Sequence, residues 1–196
     1  RQVIASLSIQ VTAGNGKMLY LKLLRRLSMV KCDQQSDVQE GSVFKTRVTE
    51  LLGIRHPVVC GGMTNVGRAG LAAAVSNAGG LGMITALTTG SPIKLEQEIA
   101  ATRELTDKPF AINLTILPTI NPIPFDEYAD VIANSGVAAV ETAGRNPEQY
   151  ISKFKAGGLI CIHKAVSVRH SLTAQKIGVD IVSIDGYECA GHPGED

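Results

Sequence analysis

Several polar residues stand at the ends of apolar stretches, where their side chains could do chemistry. Asn113 and Thr115 lie within Phe110–Leu117, and Lys164 follows Leu159–His163. Asp185 follows Ile181–Ile184, and His192 sits in a loop of Gly, Pro and acids just beyond. A lysine so placed can solvate a strand end or hold an anionic ring or phosphate. An aspartate can cap a turn or meet a ligand, and an imidazole that changes charge near neutral pH is a natural acid or base. Gly61-Gly62-Met63-Thr64-Asn65 follows another apolar run, His56–Cys60, and Ala190-Gly191 precedes the histidine. Glycines in such loops let backbone N–H groups approach a ligand closely. His163 alternates to the side opposite Lys164, which suits core packing, and His56 and His170 read as surface or packing residues.

The elements that must position these groups follow from periodicity. Apolar, β-branched runs recur at His56–Cys60, Leu81–Thr85, Phe110–Leu117, Ala138–Thr142, Leu159–His163 and Ile181–Ile184, with helical patterns between them. Arg68–Ala78 places Leu71, Ala74, Val75 and Ala78 on one face and stops at Gly79-Gly80. Ser91-Pro92 is a helix start, a capping hydroxyl followed by a proline in the first turn, and Ser167 can cap the helix that ends near Gly178. Ala78-Gly79-Gly80-Leu81 recurs as Ala156-Gly157-Gly158-Leu159. Gly136-Val137, Val140 and Gly144 recur 42 residues later as Gly178-Val179, Val182 and Gly186. Such echoes are how a repeated βα unit reads, and the lack of polar alternation suits a parallel sheet covered by helices. Six strands and five helices fit either a doubly wound sheet or part of a (β/α)8 barrel, and in both the ligand sits beyond the carboxyl ends of the strands.

Other classes are disfavoured. No GxGxxG follows the first run and no GxxxxGK[ST] occurs, against a Rossmann dinucleotide site and a P-loop. No apolar run approaches the ~18–20 residues of a membrane span. The four cysteines, Cys32, Cys60, Cys161 and Cys189, form no CxxC pair, so neither a disulfide framework nor a metal site is expected. Of 19 Lys+Arg, six fall in residues 1–32 without an acid; the remaining 13 face 18 Asp+Glu, a net of −5 that argues against nucleic acid as a partner. Residues 1–40 read as a basic extension, with Tyr20, Leu23, Leu24, Leu27 and Val30 on one helical face. That pattern fits a mitochondrial targeting segment or a disordered extension, so an intracellular location is expected, cytoplasmic or mitochondrial.

Residues 43–196 resemble the nitronate monooxygenase family, formerly 2-nitropropane dioxygenases. The resemblance is carried by VVCGGMT at Val58–Thr64, AGGLGMIT at Ala78–Thr85, PFAINLTIL at Pro109–Leu117 and VETAG at Val140–Gly144. It continues through IHK at Ile162–Lys164 and VSIDGYECAGHPGED at Val182–Asp196. The resemblance implies an α/β fold, an FMN-dependent (β/α)8 TIM barrel, of which residues 41–196 supply only the first six strands. It implies that Gly62, Met63 and Thr64 lie against the flavin ring, with Asn113 and Thr115 nearby. Lys164 would reach the pyrimidine side, where a cation stabilises negative charge on the reduced ring. Asp185 matches the acid after strand six, Ala190 and Gly191 the backbone close to the cofactor, and His192 the catalytic histidine. The implied reaction oxidises alkyl nitronates with O2 to a carbonyl compound and nitrite. The same branch includes NAD(P)H:quinone reductases, and a truncated non-catalytic fragment is a third reading. The family grips the FMN phosphate with loops after strands seven and eight. Without them the chain is expected to bind FMN poorly and to leave the sixth strand with an open edge.

Overall fold

The structure, a computed structural model, describes residues 4–5, 44–119 and 121–185. Its strands are β1 (Ile4–Ala5), β2 (Gly82–Thr85), β3 (Phe110–Ile116), β4 (Ala139–Gly144), β5 (Ile160–Ala165) and β6 (Ile181–Ile184). Its helices are α1 (Arg47–Leu52), α2 (Ala69–Asn77), α3 (Pro92–Leu105), α4 (Phe125–Asn134), α5 (Glu148–Ala156) and α6 (Val168–Lys176). The helix starts expected from sequence are present: Ser91 Oγ accepts from Lys94 N at 3.3 Å, and Ser167 Oγ accepts from His170 N at 3.2 Å. Each satisfies an N–H that the first turn of a helix leaves without an internal partner. The earlier α1 is held by a reciprocal cap between Thr46 and Thr49 and had no expected counterpart.

The strands form one sheet in the order β1-β6-β5-β4-β3-β2, every pair parallel. Helices connect successive strands from β2 to β6, the α/β alternation of a TIM barrel. Two layers of apolar side chains lie on its two faces. Ile84, Ile112, Leu114, Val140 and Cys161 pack toward the helices, while Leu81, Met83, Ala111, Ala139, Ile162 and Ile181 pack on the other face with Val48, Leu52 and Ile54. Residues alternate between faces along a strand, so α1 and the segment after it close one end of the inner face.

Four expectations need correction. The run His56–Cys60 is not a strand but a single bridge, Val59 with Leu81. Val58 N, which would extend the ladder toward β2, turns back to His56 O at 2.7 Å, so only one bridge forms. Helix α2 does not bury Leu71, Ala74, Val75 and Ala78. Its buried residues are Ala69, Ala72, Ala73 and Ser76. The small-residue face wins because α2 presses on β2 so closely that a Cβ on Gly82 would lie 1.8 Å from Ala72 O. The Ala-Gly-Gly-Leu echo repeats in letters but is offset by one residue in geometry. The left-handed glycine is Gly79 (φ 92°) after α2 but Gly158 (φ 77°) after α5, because α5 runs one residue further into the motif. Finally, β6 has a partner on its outer side: Ile4 pairs with Ser183 and Ala5 with Ile184. The remainder of residues 1–40 lies outside the described residues.

Candidate functional site

The inner face changes character along the strands. Its lower part is apolar, and above it the inward positions are Thr85, Asn113, Thr115, Glu141, Lys164, Ser183 and Asp185. Register puts neighbours side by side: Thr85 beside Asn113, Asn113 beside Glu141, and Lys164 beside Ser183. Asn113 and Glu141 lie at the middle of their strands and the others toward the carboxyl ends, the end at which parallel α/β folds bind ligands.

A loop lies across β2, β3 and β4 at this end. Met63 N donates to Thr85 Oγ1 at 2.8 Å, and the same hydroxyl donates to Met63 O at 3.1 Å. Asn65 takes the left-handed conformation (φ 63°), tolerable for an Asn, and its N–H donates to Thr88 Oγ1 at 3.0 Å. Gly62 passes directly over Asn113. A Cβ on Gly62 would sit 2.2 Å from Asn113 Cγ, so any other residue would lift the loop off the strand.

Beneath this loop lies a small polar network. Asn113 Nδ2 donates to Glu141 Oε2 at 2.8 Å, and Thr115 Oγ1 donates to Asn113 Oδ1 at 3.0 Å. Gly62 N points at the same Glu141 oxygen at 3.5 Å. Asn113 is 3% exposed and Glu141 1%. The half-buried Cys60 thiol is pushed up, first by burial and then by the negative charge of Glu141. Further round the sheet, Lys164 Nζ and Asp185 Oδ2 are 3.6 Å apart, with side chains 17% and 9% exposed. His163, as expected, faces away. It is buried on the helix side, with Nδ1 2.9 Å from Thr142 Oγ1, and burial lowers its pKa.

Of the sequence-derived candidates, Gly62, Met63, Asn113, Thr115, Lys164 and Asp185 come to one end and one face of the sheet, with the exposed Thr64 in the loop above. Ala190, Gly191 and His192 lie outside the described residues. The sequence places Thr85 and Glu141 at strand ends without assigning them a role; Thr85 clamps the loop, and Glu141 is at the centre of the network. The signal for Glu141 was available: an acid flanked by Val140 and Thr142 inside a run that reads as buried.

The family description Nitronate monooxygenase matches residues 45–140, which contain the loop, Thr85, Asn113 and Thr115 and end one residue before Glu141. Residues 45–140 of this chain are thus similar to that family. Among curated relatives, a probable nitronate monooxygenase of Staphylococcus saprophyticus is 34% identical over 183 residues, covering 77% of this chain and 51% of that protein. An octahydroindene-carboxyl-CoA dehydrogenase of Rhodococcus jostii is also 34% identical, over 153 residues that cover 78% of this chain and 42% of that one. Among solved structures, FabK from Thermotoga maritima superposes with a TM-score of 0.70 at 37% identity, covering 78% of this chain and 47% of that one. The chain thus spans about half the length of the nitronate monooxygenase relative. None of its described helices is long and apolar enough to cross a membrane.

Proposed function

We propose that the chain carries the flavin-facing half of an FMN-dependent oxidoreductase that oxidises alkyl nitronates with O2 to a carbonyl compound and nitrite. The observation that carries this reading is the band of polar groups on the inner face, set above an apolar floor in a chain similar to the nitronate monooxygenase family over residues 45–140. The donor set fits an isoalloxazine ring, whose pyrimidine edge presents carbonyl oxygens and an N–H. Lys164 brings ammonium donors, Asn113 a polarised amide and Thr115 a hydroxyl, while Met83 and Ile162 supply apolar surface below. When bound, FMN supplies the electron-accepting centre of the reaction.

The chain's own residues would then divide the work. Gly62, Met63 and Thr64 form the backbone edge against the ring, and Thr85 fixes that edge by its two bonds to Met63. Lys164 sets a positive charge beside the ring, held in place by Asp185. Ala190 and Gly191 would complete the close backbone approach, the role the family resemblance implies for them. His192 orients the anionic substrate or takes the α-proton of a neutral nitroalkane. The apolar floor keeps water from the lower side of the site.

A second reading, an NAD(P)H:quinone reductase on the same flavin, rests on the resemblance of Val182–Asp196, with its AGHPGED, to a bacterial-type branch some of whose members have that activity. Anaerobic stopped-flow measurement on the FMN-loaded chain separates the two readings. Rapid bleaching by propionate 3-nitronate with little effect of NADH supports nitronate oxidation. Rapid bleaching by NADH, with reoxidation by a quinone, supports the second reading instead. An FMN-loaded chain whose flavin is bleached by neither reductant contradicts both.

A further inference from the structure

Glu141 is an acid that neither reading uses. It stands at the middle of β4, 1% exposed, in the floor beneath the loop. Both of its hydrogen-bond contacts, Asn113 Nδ2 at 2.8 Å and Gly62 N at 3.5 Å, fall on Oε2. Oε1 has no hydrogen-bond partner among the described residues, and no Lys, Arg or His among them lies within ion-pair distance. A buried carboxylate met by so few donors keeps a field that reaches its surroundings, because low-dielectric protein screens it weakly. Asn113 depends on it too. With Nδ2 on Glu141 and Oδ1 taken by Thr115, the amide has one orientation out of two that are nearly equal in shape.

We infer that Glu141 is a positioning residue and the resident negative charge of the flavin site: it fixes the Asn113 amide and the Gly62 N–H, and it makes the bound flavin harder to reduce. This rests on the flavin reading above. Among the described inner-face residues the charges are Lys164 against Asp185 and Glu141, one cation to two carboxylates. Lys164 already has Asp185 3.6 Å away, so the uncompensated charge is that of Glu141. Reduction adds negative charge to the ring, and a carboxylate nearby opposes it. Glu141 therefore sets a low potential where an isolated Lys164 would set a high one.

The test compares Glu141→Gln, equal in shape and neutral, with Glu141→Asp, shorter and charged. In the FMN-loaded chain, Glu141→Gln shifts the reduction equilibrium toward reduced flavin by about tenfold, about 30 mV for a two-electron couple. Glu141→Asp stays nearer the wild-type potential. An unchanged potential in Glu141→Gln, or a larger shift in Glu141→Asp than in Glu141→Gln, overturns the charge role.

The ligand-free chain gives a second readout by NMR. Glu141→Gln moves the Asn113 side-chain amide resonances and speeds hydrogen exchange at Gly62; identical spectra and exchange overturn the positioning role. An FMN-loaded wild-type chain in which the Asn113 and Gly62 signals do not respond to the flavin defeats the flavin reading and the charge role with it, while the ligand-free NMR arm still decides the positioning role.

Discussion

On β3, Ile112, Leu114 and Ile116 face the helices, while Ala111, Asn113 and Thr115, one residue out of step, face the interior. The same division runs through β4 and β5, where Val140 and Cys161 face outward and Glu141 and Lys164 inward. Both faces are shielded from water, so burial alone does not distinguish them. What differs is how polarity is handled. The outer face admits a polar pair only when it satisfies itself, as Thr142 and His163 do at 2.9 Å. The inner face keeps groups whose hydrogen-bonding capacity the described protein does not exhaust, among them Lys164 and Glu141. A buried surface that leaves polar groups partly unanswered is one adapted to a ligand.

The largest expected effect tests the outer face as pure packing. Ile112 is fully buried, and Ile112→Ala should cost about 3–4 kcal/mol by chemical denaturation, from lost transfer energy plus the cavity left behind. A loss below about 1 kcal/mol would mean that this face is as adaptable as the inner one. Next comes the inner face. Lys164→Met should cost about 1–3 kcal/mol, since Asp185 is left nearly buried without its cation. It should also weaken FMN binding, read by flavin fluorescence, at least tenfold, or about 1.4 kcal/mol. Adding Asp185→Asn should recover stability but not FMN binding. Recovery of both would reduce the pair to a structural bridge.

Sequence reasoning reached much of this division, and its failures have physical causes. Helix starts at Ser91 and Ser167 were legible because a cap is a local event, one hydroxyl and one N–H three residues away. The inward set of Asn113, Thr115, Lys164 and Asp185 was legible because polar residues at strand ends are conspicuous in apolar runs. The face of α2 was not. Its periodicity admits two stripes, and the choice of Ala69, Ala72, Ala73 and Ser76 depends on how closely Gly82 lets the helix approach. Thr85 and Glu141 stand visibly at strand positions in the sequence, but what they do depends on partners distant in sequence, Met63 and Asn113 respectively.

Smaller effects sharpen the contrast. Burial holds His163 neutral, so its pKa in the folded chain lies below the ordinary 6.5. As pH falls, the unfolded chain takes up that proton first. The contribution of His163 to stability is therefore complete above pH 6.5, erodes below it, and is gone once pH passes the folded value. The slope is bounded by about 1.4 kcal/mol per pH unit for one proton. Urea melts across this range should show the erosion in the wild type and a flatter profile in His163→Gln. Equal slopes would remove His163 as its source. The smallest effect belongs to the solvated surface: Lys153, paired with Asp130 on the outside of the helices, should change stability by less than about 0.5 kcal/mol when replaced by Ala.

The most direct test of the account is an FMN titration of the isotopically labelled chain followed by NMR. One saturable site on the inner face predicts that the backbone amides of Gly62, Met63 and Thr64, the side-chain amide of Asn113 and the signals of Thr115, Lys164 and Asp185 move together on a single binding curve. His163 and Cys161, on the helix side of the same strand, should stay still. Shifts scattered over both faces, or a binding curve confined to the helix side, would contradict it.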